Sequence, residues 1–185
     1  MKINFVSSSS LILANLYPIY GVYFLGWGVP KIILLYFIET LIISIFGFLK
    51  GFYIFYQKQK ESGLLFLIFF YIFWLGSVFV ALDTLLFFEK SNIYNSISLI
   101  GVFLMIVSHG VSFYTNFIMK KEYENDSIFD ILGIKIFWLR VAPMHLFVFF
   151  SYFLLDSTVG PILISLFILS KTSIDLLLHI YEHSK

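Results

Sequence analysis

A chain of 185 residues has the length of one soluble domain, but 60% apolar and 21% aromatic residues exclude that class. Only 12% of the residues are charged, too few to solvate a globular surface of this size. The net charge of +1 supplies no basic field, so no nucleic acid is expected as a partner. With no cysteine, disulfides, thiolate metal sites and a Cys nucleophile are all ruled out. A mean hydropathy of +0.95 points to an all-α, polytopic membrane helical bundle, a multi-pass protein of the cell membrane whose first partner is the lipid bilayer.

A helix needs about 20 mainly apolar residues to cross the hydrocarbon. Six stretches meet this, at approximately 9–28, 31–55, 63–82, 97–119, 137–155 and 161–182, within a single transmembrane domain over 1–185. The first contains Pro18 and several glycines, which neighbouring helices tolerate in a membrane. It lacks a small-residue cleavage site after its apolar run and reads as a span, not as a removed signal peptide. Pro30 and Lys31 mark a tight turn into the second span, which carries Glu39. QKQKES (57–62) is the first aqueous loop, the third span follows it, and Asp83 stands at that span's far end. The fourth span holds the polar streak Ser108, His109, Ser112, Thr115 and Asn116. After the charged loop KKEYENDS (120–127), residues 128–137 mix apolar residues with Asp130 and Lys135, as in a short interfacial helix before span five. Arg140, Pro143 and His145 lie in the fifth span, and the sixth follows Gly160 and Pro161.

Six spans place the termini and the loops after spans two and four on one side. That side carries Lys2, Lys50, Lys58, Lys60, Lys120, Lys121, Lys135 and Lys185, against Lys31 and Lys90 opposite. The positive-inside rule then puts both termini in the cytoplasm.

Ionisable residues in apolar spans are costly and by default mark function. On the last helix Lys171, Asp175, His179 and His183 repeat at i+4 and form one polar stripe. Counted at about 1.5 Å per residue, Glu39, His109, His145 and Lys171 sit near the bilayer midplane, with Arg140, Asp175 and His179 in the cytoplasmic half. Four helices thus aim ionisable groups into one layer. Blander readings stand beside this one. Lys171 and Asp175 can neutralise each other, with Arg140 as a third member, and His109 can be bonded to a carbonyl. Asn15, Tyr17, Tyr20 and Trp27 read as helix bridges or interfacial anchors, while Glu39 has to be protonated or paired.

The blocks NLYPIYGVYFLGW (15–27), LLYFIET (34–40), SHGVSFYTNF (108–117) with a following EY (122–123), RVAPMH (140–145) and KTSIDLLLHIYEH (171–183) come in order along nearly the whole chain. Together they resemble an uncharacterised prokaryotic family of small integral membrane proteins carrying a domain of unknown function. Thr40 stands where that family carries an amide after its Glu. The resemblance implies the spans and the polar residues, and no activity.

Three functions fit these residues. The first is an intramembrane metal-dependent hydrolase of a lipid or amide substrate. In it His109, His145, Asp175 and His179 are the zinc ligands, with His183 an alternate, and Glu39, Arg140 and Lys171 are the catalytic residues. Adiponectin-receptor and alkaline-ceramidase proteins are similar in holding zinc with membrane-embedded histidines, but they have seven spans. The alternative is a small proton-coupled transporter or channel that uses the same residues as a relay. A bundle this small would have to form a homo-oligomer to enclose a pathway. The third is a non-catalytic membrane partner whose polar network only fixes packing. A lipid or small-molecule ligand within the bundle fits the first two. A rhomboid-like serine protease shares the six spans but not its Gly-x-Ser-x-Gly-like block, since Ser108 is followed by His109 and Gly110.

Overall fold

The computed structural model describes residues 5–58, 98–121, 139, 146 and 160–183. Among these the chain is helical, without a strand. Helix α1 is Phe5–Phe24, α2 is Val29–Lys58, α3 is Leu99–Ser112 and runs on into a π-helical turn at Phe113–Ile118, and α4 is Gly160–His183. The expected third span, the fifth apart from residues 139 and 146, and the interfacial helix before span five lie outside the described residues.

Helix α1 starts and stops four residues ahead of the 9–28 expectation. Its serine run does not delay the helix, because Ser10 Oγ donates to the Ser7 carbonyl 2.8 Å away and so satisfies itself on the helix. At the other end Gly26 takes φ +64°, a conformation that costs glycine little. The chain reverses there, and the amides of Leu25 and Trp27 both bond the Gly21 carbonyl, at 3.1 and 3.0 Å. Trp27 folds back over Gly21 so closely that a Cβ at Gly21 would lie 2.2 Å from the indole. The Gly28 carbonyl then opens α2, with Pro30 in its first turn, where no amide is needed. Helix α3 is capped by Ser98, whose hydroxyl accepts from the Gly101 amide at 3.2 Å.

Helix direction follows from the pairs that touch. From α2 to α3 the contacts run Leu35 with Gly101, Glu39 with His109, Phe46 with Phe113 and Tyr53 with Phe117, rising together, so the two helices are parallel. Tyr36 with Phe167 and Glu39 with Lys171 set α4 parallel to α2. Helix α1 runs the other way: Tyr17 meets Ser98 while Ser7 meets Asn116, and Asn15 meets Lys171 while Ser7 meets His179.

Three helical stretches, Val29–Ile54, Leu99–Ile118 and Gly160–Tyr181, are long and apolar enough to cross a membrane. Helix α1 is 20 residues long but diluted by Ser7–Ser10, Asn15 and its tyrosines, and is not among them. The bundle is turned inside out relative to a soluble one. Glu39, Lys171, Asp175, Asn116 and His179 are buried, while Phe24, Phe52, Phe103 and Leu177 are exposed. Such an arrangement suits lipid, which solvates apolar side chains and refuses charged ones. Between the helices an apolar layer of Ile32, Ile33, Leu35, Tyr36, Met105, Ile164 and Ile168 packs on the α1–α2 turn side of the charges.

Candidate functional site

The buried face of α4 reads Ile168, Lys171, Thr172, Asp175, His179, while Ser173, Leu177 and Tyr181 face outward. One helical stripe therefore carries the apolar layer and the polar chain in succession. Lys171 Nζ lies 2.6 Å from Glu39 Oε2 on α2 and 2.5 Å from Asp175 Oδ2 one turn on along α4. It also donates to Asn15 Oδ1 on α1 at 3.3 Å. An ammonium has three N–H donors, and here each finds an oxygen, on three different helices. The Tyr36 ring lies against the same nitrogen, 4.6 Å from centroid to Nζ, and Phe167 meets that ring edge-on.

His109 joins from α3, with Nε2 3.8 Å from Glu39 Oε1, within ion-pair reach but too far for a hydrogen bond. Lys171 and His109 fall within about one residue of the middle of their apolar stretches, and Glu39 within about three, or ~4 Å. Two carboxylates face one ammonium among these residues. With His109 neutral, the cluster carries one negative charge in excess; a proton on His109 or on a carboxyl balances it.

One turn beyond Asp175, His179 Nε2 is hydrogen-bonded to Ser7 Oγ at 3.1 Å. Asn116 Nδ2 donates to the same Ser7 hydroxyl and to Ser112, both at 3.4 Å. Asn116 is fully buried and sits on the π-helical turn, where the Met119 amide bonds the Tyr114 carbonyl five residues back at 2.9 Å. The wider turn shifts the helix register by one residue and brings Asn116 and Phe117 inward. Charged and polar groups thus run from Glu39 through Lys171 and Asp175 to His179 and Ser7, over about 12 Å of α4.

Of the residues singled out by sequence, Glu39, His109, Lys171, Asp175 and His179 lie on this chain. Arg140 and His145 lie outside the described residues, as does Glu122. Of the expected zinc set, Asp175 bonds Lys171, His179 bonds Ser7 and His109 lies beside Glu39, while His145 is outside the described residues. Among the described residues no three of His, Asp and Glu form a metal-holding group. Asn15 bridges helices as expected, through the ammonium, and Tyr20 is half exposed in the middle of an aromatic row between Tyr17 and Phe24. Ser7 and Tyr36 were not singled out by sequence. For Ser7 a signal exists: Ser7, Leu11 and Asn15 repeat at i+4, the antiparallel counterpart of Lys171, Asp175 and His179.

Apolar helices around a buried, cross-helix ion-pair centre define the class, a helical membrane protein. The chain belongs to the family of unknown function DUF6498, whose family model matches residues 4–185. No curated protein and no solved structure matches it.

Proposed function

We propose that the protein is a small proton-linked transporter or channel of the cell membrane, crossing it six times with both termini in the cytoplasm. The observation that carries this is Lys171 held between Glu39 and Asp175 at the middle of the apolar stretches, with His109 on one flank and His179 on the other. Every side chain in that succession except Asn15 and Ser7 can gain or lose a proton. The excess buried carboxylate makes a proton the natural exchangeable charge, because an unbalanced charge in the membrane interior is expensive. Protonating Glu39 removes one counter-ion of the ammonium and leaves it on Asp175 and the Asn15 oxygen; deprotonation restores the bridge. Such exchange couples proton occupancy to the contact between α2 and α4.

Six crossings are supported by helix direction. Helices α2, α3 and α4 run the same way, so a chain that spans the bilayer with each must return between them, which favours crossings at 63–82 and 137–155. The basic residues at the C-terminal ends of α2 and α3 favour the cytoplasm for those ends. Metal-dependent hydrolysis, the other reading, draws on the same His109, Asp175 and His179, with His145 outside the described residues.

The test is purified protein in liposomes under an imposed pH gradient, with zinc measured in the same preparation. Proton flux above that of empty liposomes, at zinc far below one per chain, is the expected result. Stoichiometric zinc lost on substituting His109 and His179, without flux, would contradict this reading and favour the hydrolase instead.

A further inference from the structure

Most buried hydroxyls near the charge centre satisfy themselves. Thr40, Ser44, Ser165 and Thr172 each donate to the carbonyl four residues earlier, at 3.0, 2.8, 2.8 and 2.7 Å. A short side chain can do this without help from a neighbouring helix. Two hydroxyls do not follow the pattern. Tyr36, 1% exposed, and Ser8, 8% exposed, bury their hydroxyls without a hydrogen-bond partner among the described residues. Burying an O–H unpaired is costly, and more so in hydrocarbon, where nothing else can replace the bond.

Their positions bracket the polar chain. Tyr36 lies one turn before Glu39 on α2, on the side of the apolar layer, with its ring against Lys171 Nζ. Ser8 follows Ser7, the residue that holds His179 at the far end. Glu39, Lys171 and Asp175 lie between the two levels, with Ser8 about 1.5 Å back from the Ser7–His179 pair on the antiparallel α1.

We infer that Tyr36 and Ser8 are the two water-binding points of the proton path, one at each end, and that water is the ligand each hydroxyl takes. This rests on the proton-linked reading above. A hydroxyl has one donor and two acceptor positions, so it accepts from one water and donates to the next group. In each hop one O–H bond breaks on the giving oxygen as another forms on the receiving one. The hydroxyl therefore keeps one hydrogen throughout, the received one in place of the one it gave, and turns back before the next hop. At the outer end Tyr36 and its water exchange with Glu39; at the inner end Ser8 and its water exchange with the Ser7–His179 pair.

Tyr36→Phe and Ser8→Ala test this in the full-length protein, reconstituted in liposomes under a pH gradient, with Ser44→Ala as the control that keeps its flux. Each of the two variants is expected to lose flux by on the order of tenfold, as one hydrogen bond in the path disappears. Their thermal midpoints in detergent should hold or rise, since each removes a polar group that has no partner among the described residues. Wild-type flux with neither variant affected would overturn the inference and leave the proton-linked reading standing. Flux lost only together with a lowered midpoint would mark a packing role and overturn it as well. A wild type without flux would overturn both.

Discussion

How costly the centre is to bury depends on the three protons of Lys171 Nζ. They are met by Glu39, Asp175 and Asn15, so the ammonium is paired and fully hydrogen-bonded, the condition under which a buried charge is tolerated. Lys171→Met leaves both carboxylates without their counter-ion and is expected to cost about 3–5 kcal/mol. Adding Glu39→Gln and Asp175→Asn to that variant removes the stranded charges and should recover much of the thermal midpoint. A triple variant no more stable than Lys171→Met would show that the charges are not coupled. Asn15→Leu removes one charge-assisted hydrogen bond and should cost about 1.5–3 kcal/mol, read from the same melts. Glu39, Lys171, Asp175 and His179 were legible in sequence because ionisable residues inside apolar stretches have few uses. Tyr36 was not, and Ser7 showed only in its i+4 repeat with Asn15, since hydroxyl residues in helices commonly bond their own backbone, as Thr40 and Thr172 do here. Nor could spacing tell a metal from an ammonium. Asp175 and His179 at i+4 suit zinc; the structure adds Lys171 on Asp175, one turn away on the same helix, and Ser7 of α1 on His179.

At the level of elements, the α1–α2 reversal depends on Gly21 and the approach of α2 to α3 on Gly101. A Cβ at Gly21 meets a rigid indole carbon at 2.2 Å, whereas at Gly101 the nearest atom is the tip of Leu35 at 3.0 Å, which can rotate away. Gly21→Ala should therefore lower the thermal midpoint clearly, at about 1–3 kcal/mol for overpacking, and Gly101→Ala should lower it less. The reverse ranking would mean that Trp27 does not pack over α1. Four helices were recognisable from apolar length and from Pro and Gly punctuation. Their ends were misjudged where local bonds override composition: serines that cap themselves carry α1 back to Phe5, and α2 continues through Gln57 and Lys58, where polar residues read as loop. The π-helical turn at Phe113–Ile118 left no trace in sequence, because one inserted residue only shifts a hydrophobic pattern that is apolar on most sides.

At the scale of the whole molecule, parallel α2, α3 and α4 fix which ends share a side. The native chain has no cysteine, so single cysteines can be placed one at a time and labelled from either side. Cysteines replacing Lys58, Lys120 and Lys185 are expected to react from the cytoplasm, and those replacing Gly28, Ser98 and Gly160 from outside. Labelling of positions 58 and 120 from opposite sides would break the parallel arrangement. In the proton-linked function proposed above, the buried carboxyl of Glu39 is the group whose charge changes as a proton passes. The most direct measurement is proton flux into liposomes carrying wild type or Glu39→Gln, an exchange that keeps the shape of the side chain and removes its titration. Pairing with Lys171 predicts flux in the wild type that vanishes in Glu39→Gln while both proteins purify as folded. Equal flux in the two, or wild-type flux no greater than that of empty liposomes, would contradict it.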